Sequence, residues 1–180
     1  MTFTAEALVV IDMQQGFLSG PAAIPGADAL AATVTGLLTR ARRAGALIVH
    51  LQNDGPEGEP DEPGTPGWEL VLAEPGEQVL RKTDDDGFED TVLGSLLEER
   101  GVERLTICGL LSEMCVSATA RTALRHDYEV ALPHDAHGTY DLDDIPAAVV
   151  ARVAEHALGD EIDLPRSGAD VRFTAPPKEL

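Results

Sequence analysis

Short, wholly apolar runs that alternate with stretches of helical periodicity constrain this chain more than any other feature. Ala7-Leu-Val-Val-Ile, Ala46-Leu-Ile-Val-His-Leu and Leu105-Thr-Ile-Cys are nearly continuous in their apolar character, as strands are when both faces of a sheet are covered. Between the first two, Leu30, Val34, Leu37, Leu38 and Ala41 recur at helical spacing from about Asp28 to Arg43, and Gly45 supplies a stop. Further strands are expected over Glu77 to Lys82, Glu129 to Leu132 and Val171 to Phe173. Further helices are expected from an Asp90 cap to Gly101, from Cys115 to about His126, and from about Ile145 to Leu158 with Pro146 in its first turn. The pattern predicts a three-layer α-β-α domain, Rossmann-like, in which a parallel six-stranded sheet carries helices on both faces. With 180 residues, no internal repeat and no linker, a single domain is expected over 1–180, with 176–180 as a loose tail.

Charge narrows the partners. The chain has 32 acidic and 13 basic residues, a net charge of −19, so it lacks the basic footprint that phosphate contact requires. Neither nucleic acid nor an anionic membrane surface is an expected partner. The N-terminal stretch has no basic region followed by a long apolar one, and only two cysteines, Cys108 and Cys115, are present. Free thiols in a chain of this kind point to a reducing, cytoplasmic setting.

In open α/β sheets, ligands bind beyond the carboxyl ends of the strands. Three chemically capable residues fall there: Asp12 after the first strand, Lys82 after the third and Cys115 just after the fourth. The fourth strand ends at Gly109, a short polar turn follows, and Cys115 opens a helical segment. Helix-terminal N–H groups and a nearby ammonium would both favour thiolate, so the thiol pKa is expected near neutrality. Cys108 belongs to the core. The Pro-, Gly-, Glu- and Asp-rich stretch from Asn53 to Gly67 is a loop of a length more often functional than idle.

Taken as a set, Leu8-Val-Val-Ile-Asp-Met-Gln-Gln-Gly-Phe, Arg81-Lys82 and Gly109-x-x-Ser-Glu-Met-Cys-Val-x-x-Thr-Ala resemble the isochorismatase-like cysteine hydrolases, in the right order and over nearly the whole chain. The resemblance implies that Cys115 is the nucleophile, Asp12 the general base and acid, and Lys82 the group that orients them and stabilises thiolate. It also implies a cis peptide at Leu110–Leu111, with the N–H groups of Leu111 and Cys115 as oxyanion donors. The loop after Asp54 resembles that of the short, metal-free members, among them the streptothricin hydrolases. The implied activity is hydrolysis of an amide, ureide or lactam C–N bond of a small molecule through a thioester, by a homo-oligomer without cofactor. Gln15 and Gly16 stand where relatives commonly carry Asn-Asp, which is expected to loosen the turn beside the site. Leu111 is expected to make the pocket mouth apolar.

Phe17, Trp68, Met114 and His137 are candidate substrate contacts. Trp68, the sole tryptophan, sits in a loop and could stack on a cyclic substrate or anchor the loop. No metal is expected: His50 is the only histidine in its region, and Asp84-Asp-Asp-Gly fails the spacing of a calcium loop. Nor is there a phosphate loop or a Gly-x-Ser-x-Gly elbow. The alternative from another class is a non-catalytic ligand-binding or thiol-sensing protein on the same fold.

Overall fold

A computed structural model describes residues 3–178. The strands are β1 (Thr4–Ala5), β2 (Ala7–Ile11), β3 (Leu47–Asn53), β4 (Gln78–Lys82), β5 (Arg104–Leu110), β6 (Glu129–Ala131), β7 (His137–Gly138) and β8 (Arg172–Phe173). The main sheet has six strands in the order β4-β3-β2-β5-β6, with β7 also on β5, and every pairing in it is parallel. β6 pairs with Arg104–Thr106 of β5, and β7 takes over at Gly109 and Leu110. The expected sheet is therefore present, with one correction. Its sixth strand is the two-residue β7, whereas the segment at Arg172–Phe173 pairs with β1 in a separate two-stranded ribbon.

The pleat of β2 explains the layers. Ala7, Val9 and Ile11 point to one face and pack with Leu93 and Leu97 of α3 (Leu93–Arg100) and Ala120 and Ala123 of α4 (Ser117–Arg125). Leu8 and Val10 point to the other and meet Leu30, Val34, Leu37, Leu38 and Ala41 of α2 (Ala27–Ala44). Both faces of β2 are buried, which is why its sequence runs apolar without alternation. A short α1 (Gln15–Leu18) and a last helix α5 (Ala147–His156) complete the set. The start of α3 differs from expectation: its N-cap is Val92, which offers no capping side chain, Thr91 Oγ1 accepts the N–H of Leu93 from just outside, and Asp90 lies further out.

Chain order places β3 on one side of β2 and β5 on the other, so the winding reverses between β2 and β5. A crevice opens beyond the carboxyl ends of strands at such a reversal. Gly109 permits the close approach there: its φ is +122°, and a Cβ on it would lie 2.0 Å from the carbonyl oxygen of Ile11. No larger residue fits between the two strand ends.

The expected loose tail is held as far as it is described. Arg100 Nε donates to the Lys178 carbonyl, the Lys178 N–H donates to the Arg100 carbonyl, and Pro176 is buried. Residues 179–180 of that expected tail lie outside the described residues. Among the described residues, no helix is long and apolar enough to cross a membrane.

Candidate active site

Three strand ends and one irregular turn build the site. Asp12 follows β2 with a φ of 50°, a left-handed conformation uncommon for residues other than glycine and concentrated at functional sites. Its N–H is held by the Leu51 carbonyl at 3.0 Å. Gln14, fully buried, ties β2 to its neighbours. Its Nε2 donates to the Asn53 and Trp68 carbonyls at 3.0 Å each, and its Oε1 accepts the Asn53 N–H at 2.9 Å. Lys82 ends β4 in register with Asn53 of β3. Cys115 lies in an irregular turn, Ser112–Val116, kinked at Met114 (φ −107°, ψ −106°), that runs into α4. The break at Met114 sets Cys115 at the start of the helical run that continues into α4, as the sequence suggested. The Leu110–Leu111 peptide that leads into this turn is cis.

These elements bring Asp12, Lys82 and Cys115 together. Lys82 Nζ lies 3.0 Å from Asp12 Oδ2 and donates to Cys115 Sγ at 3.4 Å, to Asn53 Oδ1 at 3.1 Å and to the Asp84 carbonyl at 3.1 Å. Asp12 Oδ1 is buried with no hydrogen-bond partner, which leaves lone pairs free to take a proton. Asp85 Oδ1 lies 3.6 Å from the sulfur. Asn53 and Asp85 were missed in the sequence. The strand-end rule that found Lys82 could have found Asn53 beside it, whereas Asp85 reads only as part of a solvated acidic turn.

Burial dominates the electrostatics. It raises the Asp12 carboxyl to about 6, with the charge and hydrogen bond of Lys82 opposing the rise. Burial works against the Lys82 ammonium too, but Asp12 and Cys115 outweigh it and hold the amine charged above its ordinary range. The Cys115 thiol is pushed up, by burial first and by the negative charge of Asp12 second, against the pull of Lys82. This reverses the sequence-based expectation of a near-neutral thiol. A helix end and an ammonium do favour thiolate, but a desolvated sulfur beside two carboxylates does not. The resting arrangement is a neutral thiol beside an Asp12–Lys82 ion pair.

Sulfur and carboxylate open on a cavity of about 420 Å³, also lined by Phe17, Leu111, Met114 and Tyr140. Glu59, Pro60 and Asp61 of the long loop and Asp85 also contribute to its wall. Gly16 does not loosen this region as its sequence context suggested; it seats the loop. A Cβ on Gly16 would lie 2.2 Å from the Pro60 carbonyl oxygen, and one on Gly67 would lie 2.1 Å from the same atom.

Two expected substrate contacts lie elsewhere. Trp68 is taken up in anchoring the loop: its Nε1 donates to Asp54 Oδ1 at 2.9 Å, and the Arg81 guanidinium stacks 5.0 Å above its ring. His137 faces a second cavity, with His134, Arg152 and Glu155, because β7 delivers it to the far side of the Ser112–Val116 turn. Among the described residues, no group of three or more His, Cys, Asp or Glu side chains is arranged to hold a metal ion.

A reversed-winding parallel sheet with a cysteine, a lysine and an aspartate gathered at its carboxyl edge defines a three-layer α/β domain with a thiol at its candidate site. The chain belongs to the isochorismatase family, whose domain model matches residues 6–160. A streptothricin hydrolase from Streptomyces noursei is 56% identical over 182 residues, covering 96% of this chain and 66% of that protein. A second streptothricin hydrolase from the same organism is 55% identical, with 73% of its length covered. The chain therefore spans about two thirds to three quarters of the length of these relatives. In three dimensions it is similar to an isochorismatase from Pseudomonas putida, with a TM-score of 0.85, 31% identity, and 94% and 90% of the two chains covered.

Proposed function

We propose that the protein is a cysteine-dependent amidohydrolase that opens an amide or lactam bond of a cationic small molecule, as a streptothricin hydrolase does. The observation that carries this reading is the buried Lys82 ammonium, within 3.0 Å of Asp12 and 3.4 Å of Cys115 Sγ, two residues that line one cavity. Carboxylates of Glu59, Asp61 and Asp85 border that cavity, and Lys82 is already matched by Asp12. The space left for substrate is anionic and favours a positive ligand. Phe17, Leu111 and Met114 supply apolar walls that hold its body.

In this mechanism Asp12 takes the thiol proton as sulfur attacks the carbonyl carbon. A buried carboxylate at about 6 is a much stronger base than a solvated one, which narrows the gap to the thiol. Lys82 offsets the charge that develops on sulfur, and the N–H groups of Leu111 and Cys115 receive the oxyanion. The C–N bond breaks as Asp12 returns the proton to nitrogen, leaving a thioester on Cys115. Water, deprotonated by Asp12, attacks the thioester carbon. The C–S bond breaks as Asp12 passes that proton to sulfur, regenerating the thiol, and the carboxylic acid product ionises to solvent.

The test is a panel of streptothricin, nicotinamide and an uncharged lactam of similar size, followed by product mass. Streptothricin is expected to gain one water and to be preferred over the uncharged lactam. A folded enzyme that alkylates at Cys115 yet hydrolyses none of the panel would favour the thiol-sensing alternative. A second expectation concerns pH. Because Asp12 must be ionised to accept the proton, kcat/KM rises as pH increases through about 6 and falls away below it. A flat profile between pH 5 and 7 would remove Asp12 from the base role.

A further inference from the structure

On the far side of the nucleophile turn lies a buried chain of polar groups that the mechanism above does not use. Ser112 Oγ is 2.8 Å from His137 Nδ1, and His137 Nε2 is 3.0 Å from Glu155 Oε1. All three residues are buried. A carboxylate can only accept, so Nε2 carries a proton toward Glu155, and Nδ1 pairs with the Ser112 hydroxyl. Glu155 is fixed in turn by His134 Nδ1 at 2.9 Å and by Arg152. Burial works against its charge, yet the hydrogen bonds from His137 and His134 outweigh it and keep the carboxyl below its ordinary range.

The order Ser-His-Glu looks like a hydrolytic triad, but the geometry denies it that role. Ser112 is buried and lines neither the Cys115 cavity nor the one that His137 faces, so its hydroxyl is not presented to a ligand in either. What Ser112 does occupy is the first position of the turn that carries Cys115. The backbone of that turn is gripped at the same point. Ser117 Oγ donates to the Ser112 carbonyl at 2.7 Å, and Thr139 Oγ1, just after β7, donates to Glu113 Oε1 at 2.9 Å. Burying a carboxylate and an imidazole is costly unless every group is matched. Here the matched chain terminates on the one segment whose placement sets the sulfur and the adjoining amides.

We propose that Ser112, His137 and Glu155 form a positioning relay that anchors the nucleophile turn from α5 through β7, none of the three touching substrate. The relay rests on Cys115 being the nucleophile and adds residues to that site that no catalytic role requires. Displacement of reacting groups by a fraction of an ångström to an ångström lowers turnover without altering ground-state contacts.

Ser112→Ala is expected to lower kcat about tenfold with KM within about twofold of wild type, and Ser112→Thr, which restores the hydroxyl, to recover most of the loss. His137→Gln is expected to behave like Ser112→Ala. The double variant is expected to lose no more than the worse single one, because the pair acts as a unit. Amide hydrogen exchange over 110–117 is expected to quicken in both single variants. Unchanged kcat and exchange in folded Ser112→Ala, a loss expressed in KM alone, or single losses that multiply would each overturn the relay. Should Ser112→Ala not fold, His137→Gln carries the same readouts. If the wild type hydrolyses no member of the panel, the proposed reaction fails, and exchange over the turn alone decides for or against the relay.

Discussion

Cys115→Ser is expected to abolish hydrolysis, by about a thousandfold or more in kcat, while leaving the melting temperature close to that of wild type. One atom changes, at a site 8% exposed, so packing is barely altered. Chemistry changes completely. A serine hydroxyl is far less acidic than a thiol, and the base available is a carboxylate at about 6, too weak to deprotonate an alcohol that is itself buried. A serine hydrolase meets this difficulty with an imidazole. Here no histidine lines the cavity, and the closest cation, Lys82, has no proton-accepting capacity while it pairs with Asp12. The measurement is kcat on the substrate found in the panel, with intact mass to look for a trapped acyl group. A serine variant that retains more than a few per cent of the activity would show that Cys115 is not the nucleophile.

What the sequence disclosed, and what it hid, follows from the physics of each element. Asp12, Lys82 and Cys115 were legible because they close strands whose apolar runs mark their ends, and because chain order carries those ends to one edge. β7 was not legible. A two-residue strand of His137 and Gly138 has no periodicity, and it exists only because β6 stops short and leaves the end of β5 unpaired. Val171 to Phe173 did carry a strand signal and does form a strand, but sequence cannot say which partner it takes. Trp68 stayed open between substrate contact and loop anchor for a related reason. Its indole finds a carboxylate and a guanidinium within its own neighbourhood, at Asp54 and Arg81, and those contacts depend on how the loop closes. The thiol shift was reversed because helix dipole and lysine charge can be read from spacing, whereas desolvation requires knowing how deeply the turn is buried.

Lys82→Met is expected to remove activity and also to destabilise the fold by about 3–5 kcal/mol near neutral pH, the typical cost of orphaning one partner of a buried ion pair. The Lys82 side chain is fully buried and Asp12 nearly so. Methionine fills the space of the lysine stem but leaves the carboxylate alone in a desolvated site. The pH dependence gives the distinguishing sign. In the wild type Asp12 already titrates at about 6 against an ordinary 3.8, so its contribution to stability is present below pH 3.8 and is lost as pH rises through about 6. Without the ammonium the folded value moves higher still. The variant should therefore approach wild-type stability at pH 5, where Asp12 is protonated in both, and fall progressively behind it toward pH 8. Adding Asp12→Asn should restore most of the stability at pH 8, since no charge then remains to be desolvated, yet restore none of the activity, since no base remains either. Denaturant unfolding of the three proteins at pH 5 and pH 8 measures both effects. A Lys82→Met protein as stable as wild type at pH 8 would mean that Asp12 reaches solvent or another cation, and that the buried ion pair does not govern this site.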